Sequence, residues 1–266
     1  MADFDSDFDQ DRLGELYAQA RAAEDRGDTA GAIAGFKKCL ELDPDDHCGV
    51  VMRLAALGGA TPQRAPPAYV ATLFDQQAEN FDEILVGLLG YDVPALARTM
   101  AGGLISRPVR ILDLGCGTGL AGVAFADLSA HLTGVDLSEA ILSFADDRGV
   151  YNDLYIADAI EFLESWDGEP FDLVIAADVL PYLGNLRPFA QAVRRALVES
   201  GTLIASTESR RERWGVTRTQ RFNHNLTYLT HTFAAAEMMM VAHQAITVRR
   251  EAGYPVPGDL VAMRRV

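Results

Sequence analysis

Cysteine, basic residues and long apolar runs are all scarce in this 266-residue sequence. Its three cysteines, Cys39, Cys48 and Cys116, are odd in number and lack metal-ligand spacing, so we expect neither disulfides nor a metal site. No apolar run is long enough to span a bilayer, and the N-terminus lacks the basic and apolar regions of a signal peptide. We therefore predict a cytoplasmic protein without a membrane segment.

The shortage of basic residues sets the charge of the chain. Lys and Arg total 23 and Asp and Glu total 38, which gives a formal net charge of −15. Because neutralised phosphates supply most nonspecific affinity for nucleic acids, this charge argues against a DNA or RNA substrate. Arginines do cluster at residues 210–221 and 249–265, but such clusters are usually solvated faces. The composition, 49% hydrophobic and 23% charged, instead favours a soluble enzyme with a full core.

The most informative segment that is present is VRILDLGCGTG, at residues 109–119. Its apolar run is typical of a buried parallel strand and ends at Asp113. Three glycines follow, and they let the backbone bend sharply and approach a ligand closely. These glycines are Gly115, Gly117 and Gly119. The segment therefore predicts a cofactor-binding loop.

The glycines alone do not identify the cofactor. Gly117, Gly119 and Gly122 also satisfy the dinucleotide pattern G-x-G-x-x-G, and Asp136 follows at a separation suited to gripping a ribose. An NAD-dependent oxidoreductase is therefore one alternative. Asp113 favours another ligand, because a loop that cradles a pyrophosphate would not favour a further negative charge. The cationic α-ammonium group of S-adenosylmethionine would suit this acid.

Residues 113–119 resemble the first motif of the class I S-adenosylmethionine-dependent methyltransferases, which is an acid, any residue, then Gly-x-Gly-x-Gly. Residues 109–206 follow the order of that family's motifs. The resemblance implies an α/β, Rossmann-like fold with a seven-stranded mixed sheet, strand order 3-2-1-4-5-7-6, and helices on both faces. Residues 239–266 fit the hairpin that closes such a sheet. An N-terminal helical extension is expected in addition.

Acids recur where the following strands are predicted to end. By the resemblance, Asp136 binds the ribose hydroxyls, for which a carboxylate is suited, and Asp158 accepts from the adenine amino group. Asp178 and Tyr182 lie in the family's fourth motif, where cofactor and acceptor meet. Taken singly, each acid could be a helix cap. Ligands of open α/β sheets bind outside the carboxyl ends of the strands, so we expect these residues to converge on one crevice.

The resemblance implies further cofactor-binding positions in these loops and in a lid. The complete predicted set is Tyr69, Phe74, Asp113, Gly115, Cys116, Gly117, Gly119, Asp136, Leu137, Asp158, Ala159, Ala176 and Ala177. For Cys116, a nucleophilic role at a helix N-terminus is an alternative, but the loop needs only a small residue there.

A lid helix is predicted at residues 69–90, because aromatic and apolar residues form one helical stripe there. The segment resembles the F-D-x-x-A-x-x-F-D lead-in of many small-molecule methyltransferases, which lies over the cofactor. We expect Tyr69 and Phe74 to exclude water from the sulfonium, which interacts favourably with aromatic faces. Phe81 and Leu85 are expected to be ordinary packing residues. The acid after each phenylalanine is a candidate for a solvent-facing residue.

The N-terminal part is organised differently. Residues 1–60 combine an acidic tail with a helical pair that resembles a single tetratricopeptide repeat, from the turn at Gly27 to the stop at Pro44. Residues 61–68 are proline-rich and predict a linker before a methyltransferase domain at residues 69–266. One repeat cannot bury its own face, so it should pack on the catalytic domain or on another chain. It either recruits a protein partner or acts as a lid and stability element.

Candidates for handling the methyl acceptor come from the fourth motif and the tail. Asp178, Tyr182 and His224 are candidate bases or acceptor ligands, since His is the usual proton acceptor near neutral pH. His224 is alternatively a helix N-terminal residue hydrogen-bonded into the fold. Arg221 and Tyr228 are candidate substrate-binding residues. Arg221 either grips a carboxylate or phosphate of the acceptor or pairs with an acid of the protein.

Two tail motifs resemble a bacterial subfamily of predicted methyltransferases with a tetratricopeptide repeat. They are Arg-aromatic-x-His at residues 221–224 and Arg-x-Glu-x-Gly-x-Pro-Val at residues 249–256. The sequence thus predicts a methyltransferase that uses S-adenosyl-L-methionine, releases S-adenosyl-L-homocysteine and methylates an unidentified small polar acceptor by in-line displacement, without a metal. The main alternative is a protein that binds the cofactor without turnover and recruits a partner through the repeat.

Overall fold

Ten α-helices and nine β-strands make up the described residues, 10–105 and 107–266, of the computed structural model. Most of the predicted acidic tail lies outside these residues. The helices are α1 (Gln10–Asp25), α2 (Thr29–Leu42), α3 (Val50–Ala56), α4 (Pro67–Asp75), α5 (Val93–Gly102), α6 (Leu120–Phe125), α7 (Glu139–Asp147), α8 (Ala159–Ser165), α9 (Arg187–Ala196) and α10 (Leu226–Ala234). The strands are β1 (Val109–Leu114), β2 (Ser129–Asp136), β3 (Asp153–Ile156), β4 (Phe171–Ala176), β5 (Leu197–Ser209), β6 (Trp214–Val216), β7 (Phe222–His224), β8 (Met238–Glu251) and β9 (Tyr254–Arg265).

Seven strands form the central sheet in the order β3-β2-β1-β4-β5-β9-β8. Strands β1 to β5 are parallel, and β9 runs antiparallel to both β5 and β8. Numbered without the short strands β6 and β7, this order is 3-2-1-4-5-7-6, so the predicted fold is confirmed. The ribbon of β6 and β7 was not predicted. It joins the end of β5 at Glu208 and Ser209.

The sheet has an apolar core on each face. Neighbouring residues of a strand point to opposite faces, and in β1 Ile111 and Leu112 accordingly belong to different clusters. Helices α8, α9 and α10 bury Phe162, Phe189 and Phe233 on one face. Helices α5 and α6 cover the other. Among the described residues, no helix combines the length and apolar character needed to cross a bilayer.

The N-terminal helices pack on the rest of the chain. Helices α1 and α2 bury Phe36 in a small core of their own, and α3 buries Met52 against Phe222 of β7. The predicted linker at 61–68 is also docked, because Ala65 N donates to Tyr182 O (2.8 Å) and Gln63 O accepts from two backbone amides beyond it. Helix α4 begins at Pro67, where a proline is tolerated in the first turn. The segment is therefore packed structure and not a free connection.

The predicted lid helix at 69–90 is three short helices. Helix α4 ends at Asp75, a 3₁₀ turn covers Ala78–Asn80, and a π-helix covers Glu83–Leu88. The breaks allow Phe74 and Phe81 to meet edge to face, with ring centroids 5.7 Å apart. In the tail, helix α10 begins only at Leu226, so His224 is not in its first turn, and residues 222–224 form β7.

Candidate functional site

A cleft of about 980 Å³, measured to its open mouth, lies at the carboxyl ends of β1 to β4. Most of the predicted cofactor-binding residues line it, namely Phe74, Gly115, Cys116, Gly117, Asp136, Leu137, Asp158, Ala159 and Ala177. Of the predicted catalytic residues, Asp178 and Tyr182 also line it. The cleft walls do not include Tyr69, Asp113, Gly119 or Ala176.

The glycine loop forms the floor of the cleft. Gly115, Gly117 and Gly119 all have positive φ, of 61°, 54° and 86°, which L side chains rarely adopt. A Cβ at Gly115 would lie 2.7 Å from Val179 Cγ2, so this position also needs glycine for space. Cys116 is buried in the loop, and burial raises the pKa of its thiol well above the ordinary value. The thiol is therefore protonated, which argues against a nucleophilic role.

Asp136 ends β2 with its carboxylate at the cleft. Its Oδ2 accepts from Gly117 N (2.9 Å), and its Oδ1 accepts from Ser138 N (3.0 Å). Burial raises the pKa of this carboxyl, while the backbone donors, those of Ser138 and Gly117 foremost, lower it. The two bonds hold the carboxylate against the glycine loop, and each oxygen retains a lone pair for a ligand.

Asp158 both caps a helix and lines the cleft. Its Oδ1 accepts from Ile160 N and Glu161 N in the first turn of α8, and from Arg64 Nη1 at 3.1 Å. Those three hydrogen bonds fall on one oxygen, which leaves Oδ2 for another donor. Arg64 lies in the predicted linker and was missed as a cleft residue. No sequence motif marks Arg64. The backbone bridge that it makes with Leu183 places it beside the cleft.

Asp113 is buried beneath the loop and does not line the cleft. Its Oδ2 accepts from Tyr151 Oη at 2.7 Å, while its buried Oδ1 has no hydrogen-bond partner among the described residues. Burial raises the pKa of Asp113 to about 7, against a smaller opposing effect of the Tyr151 hydroxyl. This geometry corrects the reasoning that selected the cofactor by direct contact with Asp113, because the carboxyl is turned to Tyr151 behind the loop.

Of the two predicted lid aromatics, Tyr69 and Phe74, only Phe74 lines the cleft. Phe74 lines the cleft, as do Phe81 and Leu85, which were expected only to pack. Tyr69 instead lies against Gly49 and a separate groove between α1, α3 and α4. Tyr91 is a further wall residue that the sequence gave no reason to single out.

At the part of the cleft beyond β4, which the sequence predicts to be the acceptor end, Asp178 and Tyr182 are held by one arginine. Arg221 Nη2 donates to both carboxylate oxygens of Asp178 (2.6 and 2.7 Å), and Nη1 donates to Tyr182 Oη (2.7 Å). Its guanidinium carbon also lies 5.0 Å from the centre of the Tyr182 ring. Burial raises the pKa of the Tyr182 hydroxyl, although the positive charge of Arg221 opposes this effect. Arg221 itself does not line the cleft, so it pairs within the protein.

The two tail motifs meet at Glu208. Its Oε1 accepts from Arg221 Nε at 2.7 Å and from Arg249 Nη1 at 2.8 Å, and the carboxyl group is buried at the end of β5. Arg249 also pairs with Glu251. Sequence analysis did not single out Glu208. It is the next-to-last residue of β5, beyond the apolar run that indicates this strand in the sequence.

His224 and Tyr228 are structural in this fold, which corrects their predicted roles. His224 is fully buried: Nδ1 lies 2.7 Å from Thr207 Oγ1, and Nε2 lies 2.8 Å from Leu183 O. Burial lowers the pKa of His224 to about 4. Both nitrogens are occupied and the ring does not reach the cleft, so it cannot act as the base there. Tyr228 is also buried and accepts from Leu186 N at 2.9 Å.

No group of three or more His, Cys, Asp or Glu side chains among residues 10–105 and 107–266 is arranged to hold a metal ion. The charged groups at the cleft are instead paired with other side chains or with backbone amides.

Known proteins match the central part of the chain. Residues 112–203 match the family model of the methyltransferase domain. The ubiquinone biosynthesis O-methyltransferase of Maricaulis maris is 36% identical over 106 residues, which are 38% of this chain and 41% of that protein. The protein of the same name from Azorhizobium caulinodans is 32% identical over 132 residues, 48% of this chain and 49% of that protein. The chain thus spans less than half the length of these relatives.

Two solved structures resemble a larger part of the fold. The [4+2]-cyclase SpnF has a TM-score of 0.62 at 16% identity and covers 77% of this chain and 99% of its own. The 1,6-didemethyltoxoflavin-N1-methyltransferase of Burkholderia thailandensis, solved with S-adenosylhomocysteine, has a TM-score of 0.59 at 16% identity and covers 78% and 93%. At such identity they establish the fold. They confirm the predicted Rossmann-like fold, and the match to the methyltransferase-domain model covers residues 112–203.

Proposed function

We propose that this protein is an S-adenosylmethionine-dependent methyltransferase that acts on a small molecule and releases S-adenosylhomocysteine. One observation carries the proposal: Asp136, Asp158 and Asp178, from three strand ends, converge on a cleft whose floor is the glycine loop. The methyltransferase-domain match at residues 112–203 supports the same activity. A methyltransferase fold alone would not be sufficient, since one structural neighbour is described as a cyclase.

The free hydrogen-bonding capacity of the cleft fits this cofactor. Asp136 has one backbone donor on each oxygen, and the remaining lone pairs suit the two hydroxyls of a ribose. We assign Asp158 Oδ2, which lies outside the helix cap, to the adenine amino group. Phe74 and Phe81 cover the site, and aromatic faces interact favourably with a sulfonium.

The residues at the acceptor end can position a nucleophile. Bound S-adenosylmethionine supplies an electrophilic methyl group, and alignment of the acceptor can lower such a barrier by roughly 7–11 kcal/mol in favourable intramolecular models. Arg221 donates to Tyr182 Oη, so the phenol proton is available to an acceptor atom, and the raised pKa keeps it in place. Asp178 can accept a hydrogen bond from the nucleophile. It acts as a base only if the attacking atom carries a proton that must leave.

The charges in the cleft favour an acceptor without a negative charge. Arg64 is the one basic side chain among the described residues of the cleft wall, and it is paired with two carboxylates of its own. Arg221 is likewise paired with two carboxylates. Neither is therefore available to grip a substrate carboxylate or phosphate. Val70 and Leu183 add apolar surface. We accordingly narrow the expected small polar acceptor to an uncharged molecule with an apolar body.

The N-terminal helices support this domain in our proposal. Met52 of α3 is fully buried against Phe222, and Ala65 is hydrogen-bonded to the loop that carries Tyr182. These contacts favour a role in stability over recruitment of a partner. The likeness of α1 and α2 to a tetratricopeptide repeat fits either role.

Isothermal titration calorimetry with S-adenosylmethionine tests the proposal, with Asp136→Ala as the variant and Asp153→Ala as the control. Asp153 pairs with His131 at the opposite end of the sheet. We expect Asp136→Ala to lose at least tenfold in affinity, because a ribose hydrogen bond to a charged group contributes about 1.5–3 kcal/mol. The control should bind like the parent protein. Binding of NADH in place of S-adenosylmethionine, or equal affinity of both variants, would contradict the proposal.

A further inference from the structure

The lid, residues 67–89, covers the cleft although part of it packs weakly. Phe74, Phe81 and Leu85 face the cleft, yet no residue of the π-helix Glu83–Leu88 is buried. Leu88, for example, is 74% exposed. Because apolar burial is the main source of local stability, a segment of this kind opens readily unless other contacts hold it. Those contacts are polar, and they begin at two of the acids of the lid, Asp75 and Asp82.

The first tie joins the lid to the glycine loop. Asp82 Oδ1 accepts from Thr118 Oγ1 at 2.5 Å, and the Asp82 carboxylate also pairs with Arg148. Arg148 Nε in turn donates to Thr118 O at 3.1 Å. The three residues form a closed ring of hydrogen bonds. The hydroxyl of Thr118 is held between Gly117 and Gly119, so the ring anchors the lid to the loop that forms the cleft floor.

The second tie joins the lid to the turn after β2. Asp75 Oδ1 accepts from Ser138 Oγ at 2.5 Å. Ser138 is fully buried, and its backbone amide donates to Asp136, the carboxylate assigned to the ribose. Ser138 therefore connects the lid to that carboxylate through two hydrogen bonds. Both hydroxyls lie on loops that line the cleft, while both acids lie on the lid.

We propose that Asp75 and Asp82 are positioning residues that latch the lid over bound cofactor and so control how fast the cofactor leaves. The inference rests on the proposed function, because it takes S-adenosylmethionine or its product as the molecule beneath the lid. Lifting Phe74 and Phe81 away from the cleft requires both ties to break. Because the ties hold the lid closed with or without ligand, breaking them is expected to speed release of the cofactor and, through the same opening, its entry.

Surface plasmon resonance of S-adenosylhomocysteine on the immobilised full-length protein tests the latch. The variants are Asp75→Ala, Asp82→Ala and their combination, and the control is Glu79→Ala, which removes an exposed acid from the same lid. We expect each latch variant to dissociate about fivefold faster, as for a partly exposed charged hydrogen bond, and the double variant about 25-fold faster. Association should also be faster than in the control, because the ligand-free lid carries the same two ties. Dissociation rates equal to that of Glu79→Ala overturn the latch.

The threonine side of the ring gives a conservative test. Thr118→Ser keeps the hydroxyl and should keep slow dissociation, whereas Thr118→Val has the same shape without the hydroxyl and should behave like Asp82→Ala. Equal dissociation rates in the two threonine variants count against the latch.

Hydrogen exchange of the ligand-free protein separates the latch from the proposed function. Amides of the lid, residues 67–89, should exchange faster in the double variant than in Glu79→Ala. Unchanged exchange overturns the latch even where the ligand binds. Failure of the parent protein to bind either S-adenosylmethionine or S-adenosylhomocysteine instead overturns the proposed function.

Discussion

The cofactor end and the acceptor end of the cleft are built in different ways. At the cofactor end, Gly115, Asp136 and Asp158 lie at the carboxyl ends of β1, β2 and β3, within one stretch of fewer than fifty residues. At the acceptor end, Asp178 and Tyr182 depend on Arg221, which in turn is held by Glu208. The first site is local in sequence, while the second is assembled from the tail.

The two ends of the cleft therefore differ in how their residues can be substituted. The cofactor loops bind through backbone turns and capped helices that are fixed by their own sequence. The acceptor end takes its polar groups from a buried ion network that no single segment contains. Changes in the tail can therefore alter the acceptor without changing cofactor binding, as expected where function is carried by loops on a common fold.

The largest expected effect is on the acceptor end, in the variant Glu208→Ala. Removing this acid leaves Arg221 and Arg249 buried without a shared partner, so the free energy of unfolding should fall by about 3–5 kcal/mol. Urea denaturation measures the loss. Glu251→Ala is the control, because Glu251 is partly exposed and, of the two arginines, pairs with Arg249. Equal losses in the two variants would show that the network does not depend on Glu208.

At the cofactor end, Gly115→Ala should be the most damaging loop substitution. The positive φ and the 2.7 Å approach of a Cβ to Val179 together cost about 1–3 kcal/mol and distort the floor of the cleft. The free energy of unfolding and the affinity for S-adenosylmethionine should both fall. Gly14→Ala, in α1 with open space around it, should instead stabilise the protein by about 0.5–1 kcal/mol. A harmless Gly115→Ala would mean that the loop adapts to a side chain.

Two buried groups outside the cleft, His224 and Asp113, should make stability respond to pH with opposite signs. His224 has a pKa lowered to about 4, so the unfolded chain binds more protons between pH 4 and 6.5 and stability falls as the pH drops through that window. Asp113 has a pKa raised to about 7, so the folded chain binds more protons between pH 4 and 7 and stability falls as the pH rises. Urea unfolding at pH 4.5, 5.5 and 7 of His224→Gln and Asp113→Asn should show each slope removed separately. Parallel curves for parent and variants would contradict both assignments.

The smallest expected effect is that of Cys116→Ala. The thiol is buried and protonated, and the loop position needs only a small residue, so S-adenosylmethionine affinity should change less than about threefold, below 1 kcal/mol. Calorimetry against the parent protein checks this. A large loss of affinity would give the thiol a role at the cofactor end that its geometry does not indicate.

The sequence predictions were correct at the strand ends and wrong where the role of a side chain depends on distant partners. Strand ends with Asp136, Asp158 and Asp178 were predicted to converge, and all three line the cleft. His224 was predicted as a base because its residue type and motif suggested one, but burial against Thr207 and Leu183 removed that role. Burial and partners of a side chain come from other segments, so no local pattern contains them.

Errors in the lid have the same origin. The helical stripe at 69–90 was recognised, but it breaks after Asp75 and before Glu83, where Asp75 and Asp82 bond to Ser138 and Thr118 of distant loops. Phe81 lies beyond the first break and lines the cleft, whereas Tyr69 of α4 lies outside it.

The sequence by itself determined where the first strands, the glycine turn and the acids at the strand ends lie, because local periodicity and glycine's access to positive φ are properties of a short stretch of chain. The order of the strands in the sheet was implied by the family resemblance. Only the tertiary structure decided that Asp113 lies behind the loop, that Glu208 joins two tail motifs and that Arg221 is already paired. These outcomes depend on which distant groups share a buried volume, and charge pairing and desolvation are decided there.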